Sequence, residues 1–91
     1  MLKKLYALIV QRRNTMPTGS YVSQLFGQGT DRIAQKVGEE AVEVIIAAKN
    51  DNKDELVSEI TDLVFHLLVL MADRNITIED VDKELEKRQK N

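Results

Sequence analysis

From Leu63 to Met71 the chain runs through nine residues of which only His66 is polar. The surrounding pattern is helical: Leu56, Ile60, Leu63, Val64, Leu67 and Met71 fall on one stripe at ~100° per residue. Phe65, Leu68, Val69 and Leu70 fill the remaining sides. A helix that is apolar all round is buried all round, so the rest of the chain must be organised to cover this segment. Only 91 residues are present, which is one domain, residues 1–91, and a domain of that size buries a modest share of its surface. The requirement therefore predicts that a second copy completes the burial as a homodimer, since closed two-fold dimers dominate soluble assemblies. Phe65 and Val69, opposite the main stripe, are expected on that partner surface. The alternative is that short terminal helices fold over the segment.

The remaining elements also read as helices, and no stretch reads as a strand. Leu2, Leu5, Tyr6 and Ile9 predict a first helix over 2–13, stopped by the breakers from Asn14 to Gly19. Ser20 can cap a short helix over about 21–27. Asp31 to Asn50 reads as a long helix with its apolar stripe at Ile33, Val37, Ala41, Val44, Ile45 and Ala48. Asn52 with Glu55 resembles a capping box that opens the second long helix, to about Arg74. Asn75 supplies a left-handed stop. Thr77 with Asp80 caps a last helix to about Lys90, with Ile76 and Val81 placed as a hydrophobic staple. The fold class is all-α: a small helical bundle around an antiparallel pair of long helices.

Composition removes several kinds of chemistry. There is no cysteine and a single histidine, His66, so disulfides, thiolate nucleophiles and the usual zinc sites are closed. No run of about 18 apolar residues exists, so no membrane span is expected. The opening MLKKLYALIVQRRN leads into two arginines rather than a small-residue cleavage site, which predicts a cytoplasmic protein. A net charge of −2 argues against a nucleic-acid partner. The charge is divided, however. Residues 1–38 hold six Lys/Arg and one acid, whereas 39–91 hold seven Lys/Arg and fourteen acids. That asymmetry reads either as two differently solvated faces or as an acidic cation-binding half beside a basic, phosphate-attracting one.

Four acids favour the second reading. Glu40 and Glu43 are three apart on the first long helix, and Glu59 and Asp62 are three apart on the second, so each pair lies on one helix face. The short turn predicts an antiparallel hairpin. Counted from that turn at ~1.5 Å per residue, Glu43 and Glu59 are nearly level, and Glu40 and Asp62 are level one turn deeper. Carboxylates gathered at matched height repel unless a cation lies between them, and oxygen-only ligands select a hard divalent ion, Mg²⁺ or Mn²⁺. Such ions clamp phosphate oxygens and activate water. Glu39 points away from the pairs on the helical wheel and either supports them or faces solvent. A di-iron bundle would need Glu-x-x-His pairs, and Ile46 and Phe65 occupy the histidine positions. His66 reads as a core histidine, hydrogen-bonded inside, the alternative being that it orients a carboxylate or a water.

These residues carry a resemblance. The stretch Ser20-Tyr21-Val22-Ser23-Gln24-Leu25-Phe26, then Gly29-Thr30-Asp31, KVGEEAVEVIIAAKN (36–50) and DELVSEITDLVFHLLVLM (54–71) resembles the phosphoribosyl-ATP pyrophosphatases of histidine biosynthesis. The pattern ExxE, a spacer of 15 residues, then ExxD also resembles the wider all-α nucleotide pyrophosphatase superfamily. The resemblance implies a helical homodimer, Mg²⁺ dependence, and hydrolysis of phosphoribosyl-ATP to phosphoribosyl-AMP and pyrophosphate. It implies Glu40, Glu43, Glu59 and Asp62 as catalytic metal ligands and Lys36 at the substrate phosphates. It places Ser20 and Tyr21 near the substrate, although Ser20 equally reads as a plain N-cap and Tyr21 as packing. Arg32 is a further phosphate candidate. Two other readings stand beside this one: a house-cleaning (d)NTP pyrophosphatase, and a non-catalytic helical dimerisation module.

Overall fold

The computed structural model describes residues 1–89 and is all-helical, with no strand among the described residues. Five helices follow in order: α1 Leu2–Thr15, α2 Tyr21–Gln28, α3 Thr30–Ala48, α4 Lys53–Asp73 and α5 Ile78–Gln89. Lys90, the expected end of the last helix, lies outside the described residues. Among the described residues no helix is long and apolar enough to cross a membrane.

The helix boundaries follow from local chemistry. Ser20 accepts a hydrogen bond from the Ser23 amide at 3.2 Å and starts α2. Asn52 does the same for the Glu55 amide at 3.1 Å. The Glu55 carboxylate, however, does not turn back to the cap amide as a full capping box requires; it accepts from the Asn50 side-chain amide and so ties down the α3–α4 turn. At Thr77 the box is reciprocal: the Asp80 amide donates to Thr77 Oγ1 and the Thr77 amide to Asp80 Oδ2. The hydrogen bond from the Thr77 backbone amide, with a further contribution from the Thr77 side chain, holds the Asp80 pKa below its ordinary value. Asn75, at φ 60°, ends α4. The Ile76 amide reaches back to the Met71 carbonyl and the Asn75 amide to that of Ala72, which is a Schellman closure.

α3 and α4 form the long antiparallel hairpin, α1 packs on α4, and α2 bridges α1 and α3. The core holds Ile9, Leu25, Ile33, Leu68, Val69 and Ala72, with Phe65 and Leu70 partly buried against it. The side of α4 expected to meet a partner thus faces inward: Val69 is 0% exposed. The reason is α1 and α2, which close over that side and leave the opposite one open. Ile60 and Leu67 on α4, and Ile45 on α3, belong to the expected stripes yet lie exposed, while Ala47, off the stripe, is buried. Val42, Ile46 and Val57 are exposed as well. The apolar face left uncovered is therefore the outer face of the hairpin near its turn.

Candidate active site

Three of the four acids expected together converge across the hairpin. Carboxylate oxygens of Glu40, Glu59 and Asp62 all lie within 4.8 Å of one another. Glu43 does not join that group, though its charge is felt there. Burial, followed by the charges of Asp62, Glu43, Glu40 and Glu55, raises the Glu59 pKa above its ordinary 4.5. Desolvation and like charge both oppose ionisation. With oxygen donors alone, the cluster fits a hard divalent cation and not a soft one.

A cationic edge borders the cluster. Lys36 Nζ stands 3.3 Å from Glu40 and 3.6 Å from Glu39. Burial pushes the Lys36 pKa down, but the hydrogen bond to Glu40, with Tyr21, Glu40 and Glu39 adding to it, outweighs that and leaves the pKa raised. Lys36 is therefore a full cation at neutral pH. Arg32 pairs with Glu39 at 3.3 Å. This pair is solvated, so its energy is small, on the order of 0–1 kcal/mol. Glu39 thus has a definite place: it links Arg32 and Lys36 on the outside of α3.

Tyr21 and His66 connect the cluster to α2. The Tyr21 hydroxyl lies 2.8 Å from His66 Nε2, and His66 Nδ1 lies 2.7 Å from the carbonyl of Asp62. A carbonyl only accepts, so Nδ1 carries the proton and Nε2 accepts from the phenol. Phe65 completes an aromatic group, its ring 6.3 Å from that of Tyr21 and 5.2 Å from that of His66. His66 is a buried, hydrogen-bonded histidine, as expected. Its bond to Tyr21 was not foreseen; the signal available was that His66 is the one polar residue in the apolar run. Ser20 spends its side chain on the α2 cap. Tyr21 is the first residue of α2, its ring half in solvent.

Fold and site together define a class: an all-α hairpin protein that gathers carboxylates from two long helices beside a lysine. Over residues 2–89 the sequence matches the family model described as phosphoribosyl-ATP pyrophosphohydrolase, and the chain belongs to that family. It is 54% identical over 87 residues to the phosphoribosyl-ATP pyrophosphatase of Leptospira biflexa, covering 96% of this chain and 95% of that protein. It is 52% identical over 88 residues to that of Clostridium acetobutylicum, covering 97% and 80% respectively. It is also 52% identical over 90 residues to the histidine biosynthesis bifunctional protein HisIE of Caldanaerobacter subterraneus; there it covers 99% of this chain but spans only 44% of the relative's length.

Proposed function

We propose that this chain hydrolyses phosphoribosyl-ATP to phosphoribosyl-AMP and pyrophosphate, the second step of histidine biosynthesis, as a cytoplasmic homodimer. The observation that carries the reading is the convergence of Glu40, Glu59 and Asp62 within 4.8 Å in a chain about half identical to enzymes of that name. Glu40, Glu43, Glu59 and Asp62 are the residues that would hold Mg²⁺, with Mn²⁺ as a substitute. Bound there, such an ion neutralises triphosphate oxygens and lowers the pKa of a water. Glu43, one turn along α3 from Glu40, would be the fourth of these ligands.

The chain's own groups supply the rest. Lys36 presents a fixed cation to the triphosphate. A carboxylate of the cluster takes the proton of the attacking water. The water oxygen forms the new bond to phosphorus while the α–β anhydride bond breaks and pyrophosphate leaves. Tyr21, held by His66, fixes the α2 edge of the site. Arg32 is already engaged by Glu39, so it acts through long-range charge on an anionic substrate.

The homodimer reading rests on the exposed Val42, Ile45, Ile46, Val57, Ile60 and Leu67. An apolar face of this kind on a small domain marks an interaction surface. The test of function is pyrophosphate release from phosphoribosyl-ATP, with and without a chelator, beside the same assay on dNTPs. Release from phosphoribosyl-ATP that stops with chelator and far exceeds release from dNTPs is expected. Equal turnover of dNTPs would favour a house-cleaning activity, and no release from either would end the enzyme reading.

A further inference from the structure

A cavity of about 410 Å³ opens between α1, the 16–20 turn and the start of α2. That is large enough for part of a small-molecule ligand, whose pockets run to roughly 300–1,000 Å³. Leu5, Leu8 and Ile9 form its apolar floor, and the rings of Tyr21 and Phe65 line it as well. Arg12 is the one charged residue on its lining, which contains no acid.

The two neighbouring arginines are used differently. Arg13 donates to the Ala72 carbonyl and to Asn75 Oδ1 and so closes the end of α4. Arg12 as a residue is half-buried, and its guanidinium has no ion pair or hydrogen bond among the described residues. Its backbone carbonyl accepts from the Met16 amide and from Ser23 Oγ. A planar guanidinium beside aromatic walls suits a phosphate monoester on a sugar.

Tyr21 joins this cavity to the acidic cluster. Its ring lines the cavity, while its hydroxyl is bonded to His66 one turn beyond Asp62. Phosphoribosyl-ATP carries two anionic arms on one adenine. With its triphosphate at the carboxylates and Lys36, the ribose phosphate arm is a second anion, and Arg12 is the cation on the cavity that Tyr21 shares with the cluster. We infer that the cavity lined by Arg12, Tyr21 and Phe65 binds the phosphoribosyl arm of the substrate, with Arg12 on its terminal phosphate. The inference rests on the hydrolase reading above and adds to it the means by which phosphoribosyl-ATP is told from ATP.

The experiment compares wild type, Arg12→Gln and Arg12→Lys. Because the backbone of Arg12 holds the turn, the variants keep their helical circular dichroism. With phosphoribosyl-ATP, Arg12→Gln should raise KM at least ~10-fold while kcat changes less than about twofold, the pattern of lost binding common to ground and transition states. Arg12→Lys should recover part of the loss. Ribose 5-phosphate, titrated calorimetrically in EDTA, should bind wild type and lose at least ~10-fold in affinity with Arg12→Gln. Competitive inhibition by pyrophosphate should be the same in both. A wild type that hydrolyses phosphoribosyl-ATP beside an Arg12→Gln variant of unchanged KM overturns the assignment of this cavity alone. A wild type that releases no pyrophosphate overturns the hydrolase reading and the assignment with it.

Discussion

The Tyr21 hydroxyl donates a 2.8 Å hydrogen bond to Nε2 of His66, two residues 45 apart in sequence that join the start of α2 to the middle of α4. The other ring nitrogen of His66 holds the carbonyl of Asp62. A carboxylate-bearing helix turn and the edge of the Arg12-lined cavity are thereby fixed relative to each other by one imidazole.

Removing the phenol should expose that link. Tyr21→Phe leaves the buried Nε2 without its donor, and His66→Leu leaves the phenol without its acceptor. Each should lower stability by about 1 kcal/mol, a fall in melting temperature of roughly 4–8 °C for a domain of this size. His66→Gln, whose amide oxygen can accept from the phenol, should restore more of the melting temperature and of the turnover than His66→Leu. Equal behaviour of the two His66 variants would reduce the contact to packing.

The acids can be tested one at a time. Glu40→Gln, Glu59→Gln and Asp62→Asn should each lower pyrophosphate release about 100-fold or more while helical circular dichroism is kept, because each removes a ligand of the proposed ion. Glu43→Gln should fall with them if its carboxylate turns inward onto that ion. Near-wild-type turnover in two or more of the four would dismiss the cluster as the reaction centre.

What the sequence made legible was local or periodic. Ser20, Asn52, Thr77 and Asn75 announce their caps because each satisfies a particular backbone group within three or four residues. The acid pairs announce that carboxylates of both long helices meet, because rise per residue is fixed, but not that Glu43 stays outside the group. The inward side of α4 was not legible: Val69 and Leu67 are both apolar, and only the way α1 and α2 cross the hairpin decides which is buried. The difference between Arg12 and Arg13 was likewise hidden, since it depends on where the end of α4 lands. Tyr21 and His66 are partners through tertiary folding alone.

The proposed partner face gives its own test. Ile45 and Ile60 are 57% and 43% exposed, so Ile45→Glu or Ile60→Glu should split the oligomer while the monomer keeps its helical content. A charge placed there is costly only when a second copy covers it. Phe65→Glu should instead unfold the protomer, because Phe65 packs on its own core. Sedimentation and circular dichroism separate the two effects, and a wild type that sediments as a monomer at every practical concentration would refute the interface.

The Thr77–Asp80 cap predicts a pH response at α5. The folded-state pKa of Asp80 is depressed, so its charged form contributes stability that is present above the unfolded value and lost as pH falls through the folded one. Asp80→Asn, which keeps the shape but not the charge, should melt lower than wild type at neutral pH. The gap should close as the solution is acidified below the ordinary carboxylate range. A gap independent of pH would assign the cap's worth to geometry and none of it to charge.

Glu59 titrates in the opposite sense, and this makes stability a detector of the proposed ion. Its folded-state pKa is raised above 4.5 by burial and by Asp62, Glu43, Glu40 and Glu55. Ionising it therefore opposes folding: the penalty is absent below the unfolded value, grows as pH rises through the folded one, and is complete above it. In EDTA at neutral pH, Glu59→Gln should be as stable as wild type or more so, and acidification should erase the difference. Mg²⁺ bound only by the folded protein should reverse the order. At a hundredfold excess over Kd it should stabilise wild type by ~2.7 kcal/mol through mass action, and it should stabilise the variant much less because a ligand is missing. A surface of unrelated solvated acids has no reason to produce either effect. Thermal melts of both proteins in EDTA and in rising Mg²⁺ provide the comparison. Coincident curves under all conditions would remove both the mutual repulsion and the ion from the account of these acids.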